Sequence, residues 1–256
     1  VGQNILHMPF LKALVALGMD VVFEVEPRLV ALCSRSFPDL TVVANGSELP
    51  EGISHHTPIG SLSRWFKPDL ASFETMHPYF LPDAQAVAKH RDRLKTAAGK
   101  DQILIGISWT SNNPFVGDVK SVPLDQLLSA IALPGVTLVN LQYGDHFQSI
   151  ELAQAKTGKR LMESGIDNSN DLDSLAAVVA AMDLVVCIGH TTAHMAGAIG
   201  APNFVMLPSA PFAHWLADGE RCIWYPATTL YRQAPNDDTW STVLPRVREA
   251  VMDFVH

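Results

Sequence analysis

Charge is scarce in this 256-residue chain, and its sign is wrong for coating nucleic acid. Lys and Arg number 18 against 26 Asp and Glu, a formal charge of -8. The densest basic stretch, His90 to Lys95, is interrupted by Asp92 and Leu94, so nucleic acid is not an expected partner. Cysteine is also rare. Cys33, Cys187 and Cys222 lie far apart, and an odd, scattered set fits reduced, buried thiols better than a disulfide framework. No apolar run approaches the roughly 18 residues of a membrane span. Together these absences lead us to expect a soluble, cytoplasmic protein. No G-x-G-x-x-G follows a strand with an acidic residue about 20 positions on, which argues against a dinucleotide oxidoreductase.

What is present is apolar: 48% of the residues are hydrophobic, enough to fill one large or two modest cores. Val1 to Asn4 reads as a turn entering a helix, because Ile5, Leu6, Phe10, Leu11, Leu14 and Leu17 recur at helical spacing up to Gly18. Such a turn normally follows a strand, so a first strand upstream of residue 1 is expected. A strand over Val21–Val25, a helix from Pro27 to Phe37 and a strand over Leu40–Ala44 follow. From Glu48 to Pro82 the alternation gives way to a Pro-, His- and Ser-rich path with one short helix at Ser61–Phe66. A charged helix over Ala84–Ala98 then leads to a junction within residues 82–101.

The second block alternates more cleanly. Strands are predicted at Ile103–Ser108, Val136–Leu141, Leu184–Ile188 and Asn203–Leu207. Helices are predicted at Pro123–Ile131, Gln148–Thr157, Asp171–Met182, Thr191–Ile199 and Trp240–Phe254. This βα order predicts an α/β protein with parallel sheets. Ligands of such sheets settle beyond the carboxyl ends of the strands, which directs attention to the loops after Ser108, Leu141, Ile188 and Leu207. The segment Gly189-His190-Thr191-Thr192-Ala193-His194 runs off a strand into a helix, where unpaired backbone N–H groups and the helix dipole favour an anion. An ordinary tight turn with a threonine cap is the plainer reading of the same residues.

Residues 171–208, DLDSLAAVVAAMDLVVCIGHTTAHMAGAIGAPNFVMLP, resemble the C-terminal glycosyltransferase domain of bacterial proteins with tetratricopeptide repeats upstream. That group is related to the heptosyltransferases, the glycosyltransferase family 9-like proteins of GT-B fold. The likeness continues through Trp215, Trp224-Tyr225-Pro226 and Arg232-Gln233. It also takes in GQNILHMPFLKAL at 2–14, GISWTSNN at 106–113, KSVPL at 120–124 and LVNLQ at 138–142, and is intermittent over residues 18–100. The resemblance implies two Rossmann-like domains whose sheets face a cleft: residues 1–98 on the acceptor side and 99–256 binding a nucleotide sugar. The implied activity is transfer of a sugar from a nucleotide-activated donor to a protein or glycan hydroxyl, with no metal or other cofactor. The alternative is a catalytically silent nucleotide-sugar-binding or scaffold module of a repeat protein.

Carried over by position, Gly189, Thr191, Thr192 and His194 would hold the donor diphosphate, with Thr110, Ser111 and Asn112 lining the same pocket. Lys120 would neutralise the leaving nucleotide, Gln142 would border the base, and Arg232 would contact the ligand. Two carboxylates of the related heptosyltransferases are missing. Gln3 stands where they have an aspartate, and Gly189 where they have an acidic residue. An acidic donor sugar would account for both losses, since its own carboxylate would repel them. Gln3 cannot accept a proton near neutral pH, so a histidine is the expected substitute base. His190 is the first choice, ahead of His7, His55, His56 and His194. His190 and His194 lie four apart, but no Glu or Cys partner beside them completes a zinc set, and none is expected. Trp215, Trp224 and Tyr225 are read as wedges between the closing segment and the sheet.

Overall fold

The structure is a computed structural model that describes residues 1–235, 237 and 239–256. The first helical pattern divides in two, α1 (Gly2–His7) and α2 (Pro9–Ala16). Pro9 has no N–H with which to continue the ladder of α1, yet its fixed φ suits the first turn of α2. Strand β1 (Val22–Val25) is followed by a 3-10 turn at Pro27–Leu29, α3 (Val30–Ser36) and β2 (Thr41–Ala44). β1 and β2 pair in parallel, Val22 opposite Thr41, and make a two-stranded sheet of their own. The path that resisted reading contains α4 (Ser63–Phe66) between 3-10 turns at Ile59–Leu62 and Ala71–Thr75. The long helix α5 (Ala84–Ala98) starts where the Asp83 side chain accepts from the Ala86 N–H at 2.7 Å, a cap that satisfies one of the four orphan donors.

The remainder forms β3 (Ile103–Ser108), α6 (Gly117–Lys120), α7 (Leu124–Ile131), β4 (Val136–Asn140), α8 (Phe147–Thr157) and β5 (Leu161–Glu163). It continues with α9 (Leu172–Ala181), β6 (Leu184–Ile188), α10 (Thr191–Ile199), β7 (Asn203–Leu207), β8 (Thr228–Arg232) and α11 (Leu244–Val255). β5, β8 and the single turn α6 are additions to the elements read from the sequence. The last helix begins at Leu244 rather than Trp240, because Pro245 sets its first turn.

The six strands form one parallel sheet in the order β5-β4-β3-β6-β7-β8. The chain builds outward from β3 to β5, then returns to the other side of β3 and builds outward again from β6. The strand order therefore reverses between β3 and β6, and the crevice beyond their carboxyl ends is the expected ligand seat. Side chains alternate across the sheet as the pleat requires. Leu104, Val185, Cys187 and Val205 join the core on one face; Ile105, Ile107, Val186 and Met206 join the core on the other.

The N-terminal half packs on the first of these faces. One apolar cluster runs from Ile5, Phe10, Leu29 and Tyr79 to Ala176, Ala196, Cys187 and Tyr225. The Tyr79 and Phe80 N–H groups both donate to the Ala198 carbonyl, at 2.8 and 3.0 Å, and the Tyr79 hydroxyl donates to the Ile5 carbonyl at 2.6 Å. Arg91 reaches across to the Ala181 carbonyl and to Asp183, both at 2.7 Å. α1 lies so close to α10 that a Cβ on Gly2 would stand 2.8 Å from His194 Cδ2.

Candidate active site

The turn after β6 is tight because Gly189 makes it so. A Cβ there would come within 2.8 Å of Leu207 Cδ2, closer than real contacts allow, and 3.0 Å of Trp215 Nε1, a tight contact. His190 follows in extended backbone as the N-cap of α10, its Nδ1 accepting from the Thr192 N–H at 3.0 Å. A backbone amide can only donate, so the imidazole carries its proton on Nε2. That Nε2 is buried and has no partner among the described residues. Burial, and secondarily Lys120, pushes the His190 pKa down to about 3. The sequence reading made His190 the base, but its one lone pair is spent on the cap; what it presents inward is a neutral N–H donor.

Lys120 closes the single turn α6 and is only 8% exposed. Its neighbour Ser121 fixes that turn. Ser121 Oγ donates to the Gly117 carbonyl at 2.7 Å, accepts from the Ser111 N–H at 3.2 Å and meets Thr110 Oγ1 at 2.9 Å. Trp240 Nε1 donates to the Ser121 carbonyl at 2.8 Å. The Lys120 ammonium stands 4.9 Å from the centre of the Phe212 ring. No carboxylate among the described residues pairs with it, and burial lowers its pKa. A cation withdrawn from water without a counter-ion is costly, and ordinary folding would pair or expose it.

A third group completes the cluster and was not among the sequence candidates. His214 stands in a 3-10 turn, Ala213–Trp215, after β7. Its ring stacks on Phe212 at 6.0 Å and 20° and meets His194 at 5.1 Å. Its Nε2 is buried without a partner, and its Nδ1 lies 3.5 Å from Gln3 Nε2, a long contact. Burial, with Lys120 and His7 adding to it, pushes its pKa down to about 4. The sequence hint is its place one residue before Trp215, which heads the likeness in that segment; its isolation on a loop hid it.

Other candidates have internal duties. Gln142 is buried; its Oε1 accepts from Trp109 N–H at 2.9 Å and Thr110 N–H at 3.0 Å, and its Nε2 donates to the Thr110 and Tyr143 carbonyls, each at 3.1 Å. Both donors and both lone pairs are thereby used, so it shapes the loop rather than bordering a base. Arg232 donates to the carbonyls of Gly219 at 2.7 Å, Leu216 at 3.1 Å and Trp215 at 2.6 Å. It clamps the loop carrying His214 instead of reaching a ligand. His194 is buried, its Nδ1 2.9 Å from the Tyr225 hydroxyl and its ring stacked on Trp215 at 5.1 Å; it packs α10 against α1. The Asn112 N–H donates to the Tyr143 hydroxyl at 2.9 Å, and the Tyr143 ring stands edge-on to His190 at 5.7 Å. Thr191, at the first position of α10, retains an amide that the helix itself cannot satisfy. Thr192 is buried, its amide capped by His190. No group of three His, Cys, Asp or Glu side chains gathers as a metal set among the described residues, and no helix is long and apolar enough to cross a membrane.

The architecture is that of the GT-B glycosyltransferases: an α/β chain whose six-stranded parallel sheet carries its crevice at the strand-order reversal. Two solved structures share it. A glycosyl transferase family 9 protein from Veillonella parvula DSM 2008 matches with a TM-score of 0.59 at 10% identity, over 98% of this chain and 92% of that one. The E. coli ADP-heptose lps heptosyltransferase II matches with a TM-score of 0.50 at 12% identity, over 72% of this chain and 56% of that one. In sequence, the protein FlbA of Caulobacter vibrioides is 28% identical over 273 residues, covering 99% of this chain and 45% of FlbA. The chain thus spans less than half the length of that relative. No family model matches the chain.

Proposed function

We propose that this chain is the donor-binding and catalytic part of a glycosyltransferase that takes a nucleotide-activated sugar and passes the sugar to a protein or glycan hydroxyl. One observation carries the reading: Lys120, nearly withdrawn from water and paired with no carboxylate among the described residues, lies close enough to His190 and His214 to depress both, and the Nε2 of each ring is buried without a partner among those residues. An anion satisfies all three at once. A diphosphate held there, with the Thr191 N–H at the start of α10, places the leaving group where positive charge is concentrated as the glycosidic C–O bond breaks. In this reading residues 99–256 hold the donor and residues 1–98 face the acceptor. Thr110 and Ser111 line the approach, and any repeats preceding this module would present the acceptor. The fold likeness to family 9 structures supports the donor class.

A silent binding module is the second reading, favoured by one feature: no carboxylate among the described residues stands in the cluster to act as base, and the His190 lone pair is occupied. Thermal-shift binding of ADP, UDP, CMP and their sugars, followed by donor turnover, separates the two. We expect one nucleotide series to stabilise the protein and Lys120→Met to abolish that stabilisation. Turnover of the matching donor selects the enzyme; binding without turnover selects the silent module; nucleotide binding indifferent to Lys120→Met removes both.

A further inference from the structure

Three imidazoles line this cluster, and they differ in whether a second proton has somewhere to go. On His190 the Nδ1 accepts from a backbone N–H, a donor that cannot reverse, so a proton there would cost the cap. On His194 the ring is wedged between Trp215 and Gly2 and tied to Tyr225. His214 alone faces a carboxamide. Gln3 can offer its N–H to a neutral Nδ1 or, turned over, its carbonyl to a protonated one. The charged and titratable groups facing His214 are Lys120 on α6, His7 on α1 and His194 on α10. None is acidic, and no carboxylate of the described residues stands with them.

We propose, resting on the glycosyltransferase reading, that His214 is an anion-binding residue that takes up a proton from water when a dianionic phosphate-like group enters the cluster, Gln3 being the positioning residue that permits it. Without an anion His214 is neutral, since a second proton would add charge near Lys120 on a ring whose Nε2 is buried. A dianion reverses the balance: each negative charge within about 4–6 Å raises the group by about 1–3 pH units. The positive charge offered to the leaving group is then made on demand, so His214 adds no second cation near Lys120 before the anion arrives. The absence of an aspartate at residue 3 fits this. A carboxylate beside Nδ1 would keep His214 protonated at all times and would itself repel the anion.

Sulfate is the suitable probe, because it stays dianionic across the range used. The chain, uniformly 15N-labelled, is titrated from about pH 8 to about pH 3.5 with and without sulfate while imidazole nitrogens are followed; His214→Gln identifies the resonance. We expect sulfate to move the His214 midpoint up by at least about 2 pH units. Sulfate affinity should weaken by up to roughly tenfold per pH unit as pH rises from the sulfate-free midpoint to the raised one, and level off above it. His214→Gln should bind more weakly with no such slope. Gln3→Leu, at an exposed position that tolerates the change, should keep the imidazole and lose most of the upward shift, and Gln3→Asp should raise the midpoint without sulfate. Sulfate binding that moves His190 and Lys120 but leaves His214 neutral overturns this inference and leaves the anion seat standing. No saturable binding of sulfate or pyrophosphate overturns the seat and the inference with it.

Discussion

At the scale of single residues, Lys120 shows function and stability pulling apart. A nearly buried ammonium that faces the Phe212 ring and pairs with no carboxylate among the described residues burdens the protein, and an apolar chain of similar volume relieves that burden. Lys120→Met should therefore raise the stability of the unliganded protein by about 1 kcal/mol or more, seen as a higher thermal midpoint. The same change should lower donor turnover by about two to three orders of magnitude, the usual cost of removing a charge aimed at a developing anion. A lysine with a purely structural role would lose on both counts. Gln142 belongs to the same scale with the opposite meaning: its four internal hydrogen bonds make it part of the scaffold.

At the scale of elements, the loop from Trp215 to Gly219 is held by one guanidinium. Leu216 sits at φ 60, in the left-handed region that a branched side chain enters at a cost, and Arg232 donates to the carbonyls on both sides of that bend. Arg232→Met should cost about 3 kcal/mol of stability, from charge-assisted bonds lost to a half-buried loop. It should also weaken anion binding roughly tenfold, because His214 precedes Trp215 directly. Chemical denaturation and sulfate titration of the same variant measure both effects. A fall in binding with unchanged stability would return Arg232 to the role of ligand contact that the sequence implied. Likewise Gly189→Ala should cost about 1–3 kcal/mol by overpacking against Leu207 and Trp215.

For the whole molecule, the depressed histidines make stability depend on pH in a definite direction. His190 and His214 are pushed down to about 3 and about 4, against an ordinary value of 6.5, and His194 is lowered as well. The unfolded chain therefore binds more protons than the folded one below pH 6.5. Their contribution is fully present above that value and is lost as pH falls from about 6.5 toward 4, at up to roughly 1.4 kcal/mol per pH unit for each buried imidazole. Thermal midpoints should drop steadily across this window, before the paired carboxylates of Asp125 and Asp183 begin to protonate below their ordinary 3.8. His190→Asn, which keeps a capping side chain, should flatten the slope. A midpoint constant between pH 6.5 and 4.5 would contradict the burial of these rings.

Much of the fold was open to reading along the chain, because the elements that carry it are long and periodic. β3, β6, α5 and α10 fall where apolar runs and caps place them, and the anion-favouring turn after Ile188 follows from a strand ending in Gly-His-Thr. β5 and β8 escaped, both edge strands: β5 has only three residues, and β8 carries no apolar run to mark it despite its β-forming Thr and Tyr; α1 and α2 were read as one because the apolar spacing runs through Pro9. Lys120, His190 and Gly189 could be named as candidates from local pattern and resemblance. Their state of charge was not legible there. What the sequence by itself determined is therefore the βα alternation, the parallel sheet and the turn that opens α10, since these depend on near neighbours and on the period of apolar residues. Only the tertiary structure decided that His214 and Gln3, 211 positions apart, come into contact, that the Lys120 charge reaches His214, that Gln142 and Arg232 bond to the scaffold, and that no carboxylate of the described residues pairs with Lys120. Burial and charge pairing depend on which distant segments close around a group, and local sequence carries no measure of that closure.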